Sequence, residues 1–127
     1  MKSLPDLHDG FFDGVCVSAN KGTRLFVRTE AGEGSTIVLS DVEALNITDI
    51  RGGNIIFDLV LIAPDKLTVK HMEQAYASQS GAGERSRRLL SNAQEQRLSV
   101  LEINSSYGAE CTVFFRAANI VPEHVLG

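Results

Sequence analysis

The chain holds no pair of cysteines at metal-ligating spacing. Its two, Cys16 and Cys111, stand far apart with no Cys-x-x-Cys between them, which leaves no zinc site of the usual kind. They read instead as reduced, buried thiols in apolar strands. Long hydrophobic runs are missing too. The most apolar stretch, Asn54–Ile62 (N-I-I-F-D-L-V-L-I), is far shorter than the roughly 20 residues of a membrane helix, and Asp58 interrupts it. The opening M-K-S-L-P-D-L-H-D-G lacks the roughly 7–15 consecutive apolar residues of a secretory signal, so the expectation is a cytoplasmic protein with no membrane association. Basic charge is scarce. Lys and Arg number 12 against 16 Asp and Glu, a net charge of −4, whereas a nucleic-acid binder usually presents a basic face. Phosphate-cradling G-x-x-x-x-G-K-[ST] and G-x-G-x-x-G loops are absent, as is the G-x-S-x-G nucleophile elbow. No cofactor is implied.

What is present suits one domain spanning residues 1–127. A chain of this length buries roughly two-thirds of its unfolded surface and needs neither metal nor disulfide to fold. Period-two segments run from Phe11 to Ser18, Thr23 to Glu30 and Ser35 to Leu39. Turn chemistry at Asn20-Lys21-Gly22 and Ala31-Gly32-Glu33-Gly34 makes them a meander of antiparallel hairpins. Val42–Ile50 reads as a fourth strand, because Thr, Ile and Val fit a pleated surface, although Val42, Leu45 and Asp49 also fit one side of a short helix. Gly52-Gly53 then leads into Asn54–Ile62, expected to be the central strand. On strict alternation Ile55, Phe57, Leu59 and Leu61 form its core face. Asn54, Ile56, Asp58, Val60 and Ile62 form a mixed, half-covered face.

After Pro64 the period lengthens. Thr68 caps a helix to about Tyr76, the tract Ser78–Gly83 is a flexible linker, and Glu84–Arg97 carries the narrow stripe Leu89, Leu90 and Ala93. This helical insert spans about 65–97. Two more strands follow, Leu98–Ile103 and Glu110–Ala118. The expected fold class is α+β: a mainly antiparallel sheet of about seven strands, sandwich or partial barrel, with a helical hairpin inserted before the last two strands.

Three groups of residues are candidates for a site. His8-Asp9, with Asp6 and Asp13 nearby, offers imidazole and carboxylate donors of the kind that hold Zn, Mn or Fe. Its plainer reading is a strand start at Asp9-Gly10 with His8 bonded locally, and no metal site is assigned. Asp58, mid-strand, either joins cross-strand ion pairs on a wet face or meets Glu102 and the arginines Arg24, Arg28 and Arg116 around a ligand. Tyr107 and Glu110 flank a turn, where a partner contact competes with a ring packed on the sheet edge. The binding candidates are therefore His8, Asp9, Asp58, Tyr107 and Glu110, with no catalytic residue.

The segments L-H-D-G-F-F-D-G, V-L-S-D-V-E-A-L-N-I-T-D-I, G-N-I-I-F-D-L-V-L-I and L-E-I-N-S-S-Y-G-A-E-C-T-V-F-F-R occur here in that order. Together they resemble a group of small bacterial β-rich proteins of mostly uncharacterised role, some of which look like the immunity proteins of contact-dependent toxin systems. The resemblance covers most of the chain outside the helical insert. It matches at His8, Asp9, Asn54, Asp58, Tyr107, Gly108 and Glu110, and it carries over no catalytic residue. It implies a bacterial, cytosolic, β-rich domain that binds a protein. The leading expectation is a non-enzymatic interaction module, an immunity-type inhibitor, whose basic partner is faced by acidic residues such as Asp41, Glu43 and Asp49. The alternatives are a small metal-dependent hydrolase using His8 and Asp9, or a β-barrel ligand carrier. Edge strands make a homodimer plausible.

Overall fold

Asparagine and serine chemistry builds the first hairpin. Asn20 Oδ1 accepts bonds from Ser18 Oγ at 2.7 Å and from the Gly22 amide at 3.3 Å, an Asx-type turn that reverses the chain. The computed structural model describes residues 5–20, 22–75 and 84–122. In it β1 (Phe11–Val17), β2 (Thr23–Arg28) and β3 (Gly34–Ser40) form the expected meander. β2 alternates cleanly: Thr23, Leu25 and Val27 are buried, while Arg24, Phe26 and Arg28 share the half-exposed face.

The stretch read as strand or helix is strand, β4 (Ala44–Thr48). It is bounded by Asp41 and Asp49, both in the left-handed region at φ 53° and 57°, which an aspartate tolerates better than most residues. β5 (Ile55–Ile62) follows. A short 3-10 turn at Pro64–Lys66 leads to α1 (Val69–Ala75), and α2 (Glu84–Glu95), β6 (Ser99–Tyr107), β7 (Glu110–Phe115) and β8 (Ala117–Val121) complete the order. The linker read at Ser78–Gly83 lies outside the described residues.

All pairings are antiparallel, in the order β4-β7-β6-β5-β1-β2-β3-β8, and the sheet is open, not a closed barrel. Eight strands replace the expected seven or so, and three rather than two follow the helices. The reason is a corner at Arg116. Before it β7 pairs with β4 and β6; after it β8 pairs with β3. The Arg116 amide donates to Ser40 O at 3.1 Å, so this corner lies beside the one at Asp41.

Side chains from β3 and β7, five places apart in the sheet, share one core: Ile37 and Leu39 with Val113 and Phe115, joined by Leu25, Val27, Ile56 and Ile103. The sheet must curl to bring them together. A second core lies on its outer face, where Leu67, Met72 and Ala93 of the helical segment meet Leu98, Val100 and Phe114. Leu89 and Leu90 pack against it, so the narrow stripe of α2 covers the sheet as its spacing predicts.

Three sequence expectations fail here. Ile56, read on the mixed face, is fully buried in the inner core, where the β5–β6 register also shifts between Ile55 and Ile56. Phe57 is 52% exposed, not core. The β5–β6 register shifts between Ile56 and Asp58, a bulge that leaves Phe57 unpaired and turns it out of the alternation. Beyond the bulge the alternation resumes as read, with Leu59 and Leu61 on the inner core. Cys16 is exposed rather than buried, while Cys111 is buried. One polar group sits awkwardly: Thr23 is 1% exposed, and its hydroxyl has no hydrogen-bond partner among the described residues. Thr23→Val keeps the shape and removes the unbonded group, so urea melts should show a gain of about 1 kcal/mol.

Candidate functional site

The register places the outer-face residues of four strands in rows. Ala44, Phe114, Val100 and Ile62 form the first row, through the pairs Ala44–Phe114, Phe114–Val100 and Val100–Ile62. All four belong to the apolar layer beneath the helices. Two residues along each strand comes the row Asn46, Thr112, Glu102, Val60. Two further comes Thr48 opposite Glu110, and Asn104 opposite Asp58. The outer face thus passes from apolar and covered to polar and open within three rows.

Six of these polar residues, Asn46, Thr48, Glu102, Asn104, Glu110 and Thr112, line a groove of about 210 Å³. That is below the roughly 300–1,000 Å³ of small-molecule pockets and well above a single water. Asp58 lies at its β5 side, where its Oδ1 accepts a bond from Asn104 Nδ2 at 2.7 Å. Neither Glu102 nor Glu110 has an ion-pair partner among the described residues. Cys111 also lines the groove, but burial pushes its thiol up to about 12, so it is neutral and not a nucleophile. Asp58→Ala removes one charge-assisted bond at a half-buried position and should cost about 1 kcal/mol in denaturant unfolding.

The arginines expected near Asp58 are elsewhere. Arg28 is held by Asp13 through bonds of 2.6 and 2.8 Å, and its guanidinium lies 4.6 Å from the Phe11 ring centroid. The Asp13 bond raises its pKa further above the ordinary arginine value. Arg116 reaches Gln96 at 3.5 Å. Neither these two nor Arg24 lines the groove.

His8 and Asp9 sit beside the β5 bulge. The Asp9 amide donates to Ile56 O at 2.9 Å, and the Ile56 amide donates to Gly10 O at 2.9 Å. His8 Nδ1 donates to Phe57 O at 2.6 Å, and its ring stands edge-on to Phe57 with centroids 5.5 Å apart. Asp9 Oδ2 is 3.6 Å from His8 Nε2. Only the His8 amide bonds locally, to Asp6 Oδ1 at 3.0 Å; its ring makes a tertiary contact with Phe57, and the strand begins two residues after Asp9, at Phe11. No group of three His, Cys, Asp or Glu side chains that could hold a metal occurs among the described residues. The Phe57 carbonyl first, and then Asp9, raise the His8 pKa above 6.5. His8 protonation therefore favours the folded state below pH 6.5, and that contribution fades as pH rises through the raised folded-state value. An NMR titration should place the His8 midpoint above 6.5, and Asp9→Asn should lower it.

Tyr107 lies opposite Ile55, is 52% exposed, and has the Arg51 guanidinium 5.6 Å from its ring centroid. Of the five candidates, Glu110 lines the groove and Asp58 borders it through its bond to Asn104, His8 and Asp9 flank the adjoining bulge, and Tyr107 stands at the β6–β7 turn. Asn46, Thr48, Asn104 and Thr112 escaped the sequence reading. The signal was there in part, since E-I-N in β6 and E-C-T in β7 alternate polar with apolar. Their alignment required the β6–β7 register.

Among the described residues no helix is long and apolar enough to cross a membrane. No protein-family model, curated protein or solved structure matches the chain.

Proposed function

We propose that the chain is a non-enzymatic protein-binding module, an immunity-type inhibitor in the sense of the sequence resemblance. Its interface is the open part of the outer face, and its partner presents basic charge there. The observation that carries this reading is the pairing of acidic groups with exposed apolar ones. Among the described residues Glu102 and Glu110 have no cationic partner, on a face where Phe57 and Val60 remain 52% and 36% exposed. Val60 is the direct cross-strand neighbour of Glu102. Apolar anchors within a charged surround are the usual anatomy of a protein interface. The net charge of −4 adds long-range attraction for a basic partner. Asp41 and Asp49, also read as partner-facing, hold the turns that bound β4, which gives them a structural duty.

The test is affinity purification from bacterial cells with the wild-type chain and with Glu102→Lys/Glu110→Lys in parallel. Both positions are on an open face, so the double variant should melt within a few degrees of wild type. The expected result is a basic protein retained by the wild type and lost from the variant. Identical retention by both chains would move the interface off this face.

A further inference from the structure

We infer that His8 is a proton-operated clasp on the β5 bulge: its imidazolium holds Phe57 in place, and its neutral ring releases it. The geometry at the two ring nitrogens carries this. Nδ1 lies 2.6 Å from Phe57 O, and Nε2 lies 3.6 Å from Asp9 Oδ2. Both neighbours are acceptors. A neutral imidazole has one N–H and one lone pair, so either tautomer turns a lone pair toward an oxygen. With the proton on Nδ1, the Nε2 lone pair faces a carboxylate. With the proton on Nε2, the Nδ1 lone pair faces the carbonyl at hydrogen-bond distance. The imidazolium alone, with an N–H on each nitrogen, satisfies both sides together.

The surroundings push the same way. After the Phe57 carbonyl, the groups that favour the charged ring are Asp9 and Asp6 on its own segment and Glu30 beyond the end of β2. Asp6 is fixed nearby, because its Oδ1 accepts the His8 amide at 3.0 Å. β5 contributes the Phe57 carbonyl and the Phe57 ring, edge-on with centroids 5.5 Å apart. The segment around His8 keeps its place in either protonation state. Leu7 is 4% exposed in the inner core, and the bonds from Asp9 to Ile56 and from Ile56 to Gly10 are main-chain bonds that do not titrate. Phe57, by contrast, has no partner in the β5–β6 register, so it is the part of the bulge that the clasp governs. The closed form binds the proton more tightly, so it is filled at low pH and released as pH rises through the His8 midpoint. The consequence for capture rests on the binding reading above: a fixed Phe57 loses less freedom on docking than a loose one, so the partner is held better in mild acid.

The test is an NMR titration of the isotope-labelled full chain between about pH 5 and 8, the range over which histidine changes charge. The Phe57 carbonyl carbon and ring protons should titrate with the same midpoint as the His8 ring, and cross-relaxation between the two rings should fall about threefold as the proton leaves. Asp9→Asn should lower these midpoints together, and asparagine tolerates the left-handed φ of 59° at this position, so the fold is kept. His8→Phe keeps an aromatic ring beside Phe57 without a titrating nitrogen, and it should leave the Phe57 signals flat. Phe57 signals that stay flat in the wild type while His8 titrates, or that still titrate in His8→Phe, would overturn the clasp. Capture is read separately: the wild type should retain its partner about threefold better at about pH 6 than at about pH 8, and His8→Phe should lose that difference. Titrating Phe57 signals with capture indifferent to pH would uphold the clasp and remove Phe57 from the interface.

Discussion

Asn54→Ala should destabilise the protein by about 3 kcal/mol, read from urea unfolding at constant m. Asn54 is 8% exposed, and its amide makes four bonds. Its Oδ1 accepts from the amides of Arg51 and Ala109, each at 2.9 Å, and its Nδ2 donates to Phe12 O at 3.2 Å and Arg51 O at 3.0 Å. One side chain therefore ties the β4–β5 loop, β1 and the β6–β7 turn. Truncation strands two main-chain groups on residues that cannot turn to water, Ala109 at 1% exposure and Phe12 at 3%. Each stranded group costs about 1–3 kcal/mol, while the Arg51 groups, on an exposed residue, are rehydrated. The junction is short: β1 and β5 share one ladder pair, Phe11–Ile55, flanked by main-chain bonds from Asp9 to Ile56, from Ile56 to Gly10 and from Phe12 to Asn54, each 2.9 Å. Gly108 is part of the same device. It holds φ 86°, and a Cβ there would run into Asn54 Oδ1. Gly108→Ala should thus cost less in an Asn54→Ala background than in the wild type. A double-mutant cycle with no coupling would show that the Asn54 amide does not set this turn.

Much of this architecture is legible in the residues. Thr23–Arg28 alternates without interruption and reads correctly from pattern alone. The stripe Leu89, Leu90, Ala93 marks the covered face of α2. What the pattern cannot convey is a change of register. Alternation assumes an unbroken pleat, and the bulge at Phe57 breaks it with no glycine or proline to announce it. The Phe57 carbonyl accepts from His8, a residue 49 positions away, and so the contact is tertiary. The corner at Arg116 is likewise secured by Ser40 on another strand. Asn54 was visible as a polar position in the resemblance, but its role depends on three segments meeting around it. The groove has the same origin. Asp58, Glu102 and Glu110 were each conspicuous, and only the β4-β7-β6-β5 pairing assembles them.

Phe114→Ala should cost about 3–5 kcal/mol, the range for a buried phenylalanine whose site cannot collapse. Phe114 is 1% exposed and sits centrally in the row Ala44–Phe114–Val100–Ile62. Above it lie Leu67, Met72 and Ala93, the side chains through which the helical segment is held to the sheet. Its carbonyl also accepts from the Glu43 amide at 2.9 Å, a bond that survives the substitution. Against a total stability of about 5–15 kcal/mol for a domain, the loss is a large share. It should be unevenly distributed, since the inner core of Leu25, Val27, Ile37, Ile56 and Val113 does not contain Phe114. Hydrogen exchange of the variant should therefore show α1 and α2 opening while β1, β2 and β3 stay protected. A global loss of protection would mean that the two cores fold as one unit. A loss under 1 kcal/mol would mean that the helices are held by something other than this ring. Thr112 stands two residues from Phe114 on the same face, so the helix-covered row gives way directly to the row that lines the groove. The helices seal the first row, and the outer face opens at the next two, which carry Glu102 and Glu110.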